Sequence, residues 1–142
     1  MAFVSQEDKK TLAPGIKAVL KKYKMKGTIS VKNHSTLCVS LKSGQLDLLG
    51  AAQKSNDRIA EREGRPSYQI GDYLQVNHYW CEENSRIIGE EEIADFYSEL
   101  ISAMEGPDFF NNDDAMSDYF HRSHYIDIDA GRFQKPYMYE AA

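Results

Sequence analysis

The sequence lacks the segments that would carry a protein into or across a membrane. No apolar run approaches the ~18–20 residues needed to span a bilayer. Residues 1–8 lack the cationic region followed by an apolar stretch that marks a secretory signal peptide. Cys38 and Cys81 are the only cysteines, fewer than a secreted scaffold of this size normally uses. We therefore expect a cytoplasmic protein with reduced thiols and no membrane partner.

The sequence also lacks the short motifs of common catalytic and nucleotide-binding sites. It contains no P-loop, no GxSxG and no GxGxxG. Asp113, Asp114 and Asp118 do not have the ligand spacing and central glycine of an EF-hand loop. Cys38 and Cys81 are too far apart for a CxxC pair. We therefore expect no enzymatic activity, no cofactor and no metal.

The length of 142 residues indicates a single domain, 1–142. Patterns in the first third of the chain predict a helix and a hairpin. Ser5 and Asp8 have the spacing of a capping box before a helix over 6–24, although Pro14 leaves open a regular start only at that residue. Alternating apolar residues in 27–33 and 36–42, joined by a short polar loop, predict a β-hairpin.

The remaining patterns predict two more helices and two or three more strands. A helix from about Gln45 to Gly64 is expected to turn Leu46, Leu49, Ala52 and Ile59 inward, and a strand is expected over 73–80. A regular amphipathic stripe runs from Ile93 to Met104, followed by strand patterns at 117–121 and 125–129. This order favours an α+β fold: a single mostly antiparallel sheet, made of the hairpin plus two or three further strands, with about three helices packed on it.

Charge is divided unevenly along the chain. The first 81 residues hold 13 Lys and Arg against 7 Asp and Glu, or +6, whereas residues 82–142 hold 4 against 15, or −11. Carboxylates on a rigid surface can imitate the phosphates of DNA and bind a basic cleft, although such residues more often only solubilise a surface or neutralise the other half. The candidate acidic face consists of Glu90, Glu91, Glu92, Asp108, Asp113, Asp114 and Asp118.

Two other sites are alternatives. A basic face could follow a nucleic-acid backbone, but Tyr23 is the only aromatic residue nearby for base stacking, which favours a solvated surface. A metal-dependent hydrolase could use His121, His124, Asp127 and Asp129, but in a strand His124 points away from the two aspartates. The residues of the basic face are Lys21, Lys22, Lys24, Lys26 and Lys32.

Three segments carry a family resemblance: SVKNHST at 30–36, DYLQVN at 72–77, and DYF at 118–120 followed by YIDIDAGRFQKPY at 125–137. With them the chain resembles small proteins of tailed phages and conjugative elements that are similar to the large-polyvalent-protein-associated domains of mobile DNA. Phe133 stands where such proteins often have Trp. The resemblance implies no assigned chemistry, so it transfers context rather than catalytic residues.

That context implies an accessory protein acting in the cytoplasm of a host cell. Small acidic phage proteins are frequently inhibitors of host defence, of the anti-CRISPR or anti-restriction type. The expected function is therefore non-catalytic binding and inhibition of a host protein or ribonucleoprotein defence complex, with nucleic acid a less favoured partner. A homodimer is compatible with the sequence.

Overall fold

The computed structural model describes residues 4–106, 124–132 and 134–140, and these form four helices and one five-stranded sheet. The predicted α+β class is confirmed. In chain order the elements are α1 (Gln6–Lys22), β1 (Met25–Lys32), β2 (Thr36–Gly44), α2 (Leu48–Glu63), β3 (Leu74–Val76), α3 (Cys81–Ile87), α4 (Glu91–Glu105), β4 (Tyr125–Ala130) and β5 (Met138–Tyr139).

The sheet is mixed rather than mostly antiparallel. Its strand order is β1-β2-β4-β3, and β5 pairs with the end of β2. The pairs β1–β2 and β3–β4 are antiparallel, but β4 and β5 each run parallel to β2. Parallel neighbours need a long crossover connection, and here α2, β3, α3 and α4 all lie between β2 and β4 along the chain. The predicted hairpin of β1 and β2 is confirmed.

Helix α1 begins where its capping box predicts. The Asp8 amide donates to Ser5 Oγ at 3.0 Å, and the Ser5 amide donates to Asp8 Oδ2 at 2.9 Å. The helix therefore starts before Pro14 and continues through it, with Ile16 and Leu20 buried. The capping box satisfies backbone amides of the first helical turn, so the helix is stable from Gln6 onward. The alternative start at Pro14 was therefore wrong.

Helix α4 is the centre of the core. Ile93, Phe96, Leu100 and Met104 are buried as the stripe predicted, and Ile101 is partly buried. The helix packs against α1 and α3 and contacts β4. It ends at Glu105, and the C-cap residue Gly106 has a positive φ of 78°. Both helical neighbours and the sheet therefore depend on this one apolar face.

Helix α2 begins later than predicted. Asp47 is its N-cap, and the Asp47 carboxylate accepts a 3.0 Å hydrogen bond from the Gly50 amide. Leu46 is buried, but it precedes the helix. Within the helix the buried residues are Leu48, Ala51 and Ala60, whereas Leu49, Ala52 and Ile59 are only partly buried. The cap at Asp47 sets the phase of the helix, and a start at Gln45 was therefore wrong.

The predicted strand over 73–80 is a strand only at Leu74–Val76. The carbonyl of Asn77 accepts hydrogen bonds from the amides of Trp80 and Cys81, and its side chain accepts one from the Tyr79 amide. This turn opens α3, which the sequence patterns did not predict. The short strand β5 was also not predicted, and the predicted strand at 117–121 lies outside the described residues. None of the described helices combines the length and the apolar character that crossing a bilayer requires.

Candidate functional site

Helices α3 and α4 carry a dense group of acidic residues. Residues 81–105 contain eight carboxylates and one basic side chain, Arg86. The Arg86 guanidinium lies 2.6 Å from Glu91, 3.0 Å from Asp95 and 3.2 Å from Glu82. We call these four residues the Arg86 cluster. They carry three negative charges and one positive charge, so the cluster remains acidic.

The Arg86 cluster fixes the positions of carboxylates from two helices. Hydrogen bonds to Asp95, Glu91 and Glu82 raise the pKa of Arg86, so its charge is permanent. Because the side chains of these four residues are 40–64% exposed, their ion pairs contribute little to stability in water. The ion pairs instead set the relative positions of the side chains, because the Arg86 guanidinium joins α3 to the N-terminal turns of α4.

The predicted acidic face is only partly assembled here. Glu91 belongs to the Arg86 cluster and Glu92 is exposed beside it, but Glu90 instead pairs with Lys54 of α2 at 2.6 Å. The residues that sequence patterns missed are Glu82, Glu83 and Asp95. Glu82 and Glu83 come just after the predicted strand over 73–80, and the sequence patterns gave no indication that they lie on a helix. The other predicted members, Asp108, Asp113, Asp114 and Asp118, lie outside the described residues.

Helix α3 also exposes apolar side chains. Trp80 is 56% exposed at the N-cap of α3, and Ile87 is 47% exposed at its end. Trp80, Glu83 and Ile87 follow one another at i, i+3 and i+7 and therefore share one helix face. Exposed tryptophan is uncommon on protein surfaces and is enriched among residues that dominate binding energy. The outer face of α3 therefore combines apolar anchors with carboxylates.

The predicted basic face is partly neutralised in the structure. Lys22, Lys26 and Lys32 lie 2.6, 4.0 and 3.5 Å from the carboxylates of Glu99, Glu140 and Asp127, respectively. Lys26 and Lys32 stand near opposite ends of β1, roughly 20 Å apart at the usual rise per residue. Lys21 and Lys24 are exposed.

Tyr23, the aromatic residue of that face, is engaged inside the fold. Its hydroxyl donates to Glu99, and its ring packs edge-on against Phe96 with 5.4 Å between centroids. These contacts join the end of α1 to α4. A base could not stack on Tyr23 without breaking them, which weakens the nucleic-acid alternative.

The residues in and before β4 that the metal-hydrolase alternative would use point to different faces of the sheet. His124 is buried, with Nε2 2.8 Å from the Met104 carbonyl. Asp127 lies on the opposite face, where it accepts a hydrogen bond from Gln75 at 3.2 Å. Burial and the nearby Asp127 raise the pKa of Asp129. No group of three or more potential metal ligands occurs within 4–106, 124–132 and 134–140, and His121 is not among those residues.

Cys81 is expected to react slowly with electrophiles in the folded protein. Burial raises the pKa of its thiol from 9.0 to about 12, which lowers the thiolate fraction at pH 8 by about 1,000-fold. Because thiolates of higher pKa are more nucleophilic, the net decrease in rate is roughly 50-fold. Iodoacetamide labelling followed by peptide mass spectrometry measures it, with the urea-unfolded chain as control. Equal rates in the two states would contradict this burial.

Within the part of the chain that the structure describes, α3 and the start of α4 therefore form an exposed surface that has both charge and apolar anchors. The basic residues and the β4 residues are mainly used in contacts within the fold. Comparison of the chain with protein-family models, with curated protein sequences and with solved structures gave no match.

Proposed function

We propose that this domain is a non-catalytic binding protein that presents the acidic surface of α3 and α4 to the nucleic-acid-binding cleft of a host defence complex. The observation that carries the proposal is the Arg86 cluster, in which carboxylates from two helices are held in place. Regularly held negative charges compete with phosphates for the Lys and Arg side chains that line such clefts.

Charge alone gives an interface speed and selectivity more than affinity. Affinity normally comes from a few aromatic or apolar anchors that become fully desolvated. Trp80 and Ile87 are exposed on α3 beside Glu83, and they supply such anchors. The combination fits a basic protein surface with an apolar pocket better than it fits nucleic acid, whose phosphates would be repelled.

The identity of the partner class comes from the resemblance to phage and mobile-element proteins. Proteins of that origin act in the cytoplasm of an infected or recipient cell, where defence complexes of the CRISPR or restriction type bind DNA through basic clefts. We therefore propose inhibition of such a complex by occupation of its DNA-binding cleft. The domain would need no turnover chemistry for this role.

The proposal predicts that reversing two exposed charges on the surface abolishes most of the inhibition. In the double variant Glu83→Lys/Glu92→Lys, two carboxylates that are not bonded to Arg86 become repulsive toward a basic cleft. We expect the concentration for half-inhibition of DNA binding by a purified defence complex to rise roughly 30- to 100-fold. Fluorescence anisotropy of labelled DNA measures this.

The matched control is Glu7→Lys/Glu61→Lys, which makes the same change in net charge at exposed residues of α1 and α2. It should change inhibition by less than about 3-fold. Binding should also weaken as salt rises to about 0.5 M, because screening shortens the range of charge interactions. Binding that survives both salt and charge reversal would exclude DNA mimicry. A salt-dependent gel shift with DNA alone would support the nucleic-acid alternative instead.

A further inference from the structure

A cavity of about 260 Å³ lies between α2, β3, α3 and the buried face of α4. Leu48, Ile59 and Val76 contribute apolar walls, and Asn84 and Tyr97 contribute polar groups. The lining residues that the structure describes include no Asp, Glu, Lys, Arg or His. A charged ligand would therefore lose part of its hydration without gaining a counter-charge, so the cavity suits a neutral molecule.

Tyr97 is a buried polar residue that the fold leaves incompletely satisfied. Only 4% of it is exposed, and its ring contacts Phe96. Its hydroxyl makes no hydrogen bond with any part of the chain that the structure describes, although buried hydroxyls nearly always have a partner. Burial raises the pKa of Tyr97, so the hydroxyl stays protonated and available as a donor.

Asn84 adds a second polar group to the same cavity. It lies on α3, is partly buried, and its side-chain amide has no hydrogen-bond partner among residues 4–106, 124–132 and 134–140. An amide offers both a donor and an acceptor. Tyr97 and Asn84 together therefore provide donor and acceptor groups in a largely apolar space.

One wall of the cavity is held in place by α2 before any ligand binds. Asn56 of α2 donates to the Tyr68 carbonyl at 2.7 Å, and Gln53 accepts from the Ile70 amide at 2.7 Å. These bonds fix the segment 68–70, which lines the cavity. A preformed site loses less conformational freedom on binding than one that must be assembled.

The volume of the cavity limits the size of the ligand. An apolar cavity of about 150 Å³ holds benzene, so about 260 Å³ has room for a fused bicyclic ring. A purine has that size, is neutral, and carries donor and acceptor atoms along one edge. Side-chain amides pair with that edge in nucleic-acid recognition.

We propose that this cavity is a binding site for a neutral purine base, whose ring packs on the apolar walls and whose polar edge pairs with the Tyr97 hydroxyl and the Asn84 amide. This site lies on the same two helices as the acidic surface, but it uses none of the residues proposed for that surface. Failure of either proposal therefore leaves the other intact.

The test uses adenine as the probe and the full chain, with isothermal titration calorimetry and thermal melting. A ligand of this size is expected to bind with a dissociation constant of about 10⁻⁴ M. Tyr97→Phe should weaken adenine binding by roughly 10-fold while the free protein melts at the same or a higher temperature, because an unpaired buried hydroxyl is removed. Asn84→Ala should weaken binding by a similar factor.

The matched control is Tyr137→Phe. The Tyr137 hydroxyl donates to the Leu46 carbonyl at 2.6 Å and does not line the cavity, so this variant should melt at a lower temperature and bind adenine normally. Absence of adenine binding at millimolar concentration would overturn the proposal. So would binding that neither Tyr97→Phe nor the cavity-filling Ala52→Trp weakens, or binding of indole as tight as that of adenine.

Discussion

Leu100→Asp is expected to leave no folded, soluble protein. Leu100 is fully buried in the apolar face of α4, the helix that packs against α1 and α3 and contacts β4. Loss of the leucine side chain from a core costs about 2–5 kcal/mol. An unpaired buried carboxylate adds about 3–5 kcal/mol. The sum is comparable to the roughly 5–15 kcal/mol that stabilises a whole domain.

Soluble expression and circular dichroism during thermal melting measure this effect. The matched control is Ser102→Asp, which places the same side chain two residues later on the exposed side of the same helix. Near the C-terminal end of a helix an added carboxylate is unfavourable by about 0.3–1 kcal/mol, so this variant should fold and melt slightly earlier. A normal melting curve for Leu100→Asp would contradict the central position of α4.

Gly131→Ala is expected to detach the C-terminal segment from the sheet. Gly131 has a φ of 79°, and a Cβ there would lie 2.5 Å from the Tyr137 nitrogen and 3.0 Å from the Pro136 carbonyl carbon. Both contacts are with backbone, which cannot rotate away. The backbone would have to move, and the Tyr137 amide would lose its 2.8 Å hydrogen bond to Asp72. We expect a loss of about 2–5 kcal/mol, from strain, overpacking and the lost contacts.

The variant Gly64→Ala is the matched control for Gly131→Ala, because it imposes the cost of a left-handed backbone without a steric clash. Gly64 ends α2 with a φ of 67°, but a Cβ there would meet no atom within 4 Å. This variant should lose only about 1–2 kcal/mol, the cost of left-handed backbone for an L-residue. Urea denaturation of both variants gives the comparison. Equal losses would show that the contact of Gly131 with the C-terminal segment is unimportant.

Local patterns were sufficient for part of the fold. The Ser5–Asp8 capping box, the hairpin of β1 and β2 and the apolar stripe of α4 were all predicted and confirmed. In each case the interacting residues are few positions apart, so helical or strand geometry alone brings them together. Helix α3 was missed because the aromatic residues that precede it, Tyr79 and Trp80, resemble a strand, and only the turn at Asn77 redirects the chain.

The acidic surface could be predicted in composition but not in arrangement. The charge difference between the two halves indicates an acidic region, yet it does not distinguish Glu90, which pairs with Lys54, from Glu91, which pairs with Arg86. Glu82 and Asp95 meet on Arg86 only because α3 and α4 pack together. Such convergence depends on helix packing, which periodicity does not specify.

By itself, the sequence determined the α+β class, the presence of helix α4 and the negative charge of the surface of that helix, because these follow from periodicity and composition. Only the tertiary structure decided that β4 runs parallel to β2 and that carboxylates from two helices share one guanidinium. It also decided that the Tyr97 hydroxyl is buried without a hydrogen-bond partner among the described residues. These features join residues far apart in the chain. Their positions depend on how the whole core packs rather than on the geometry of any one segment.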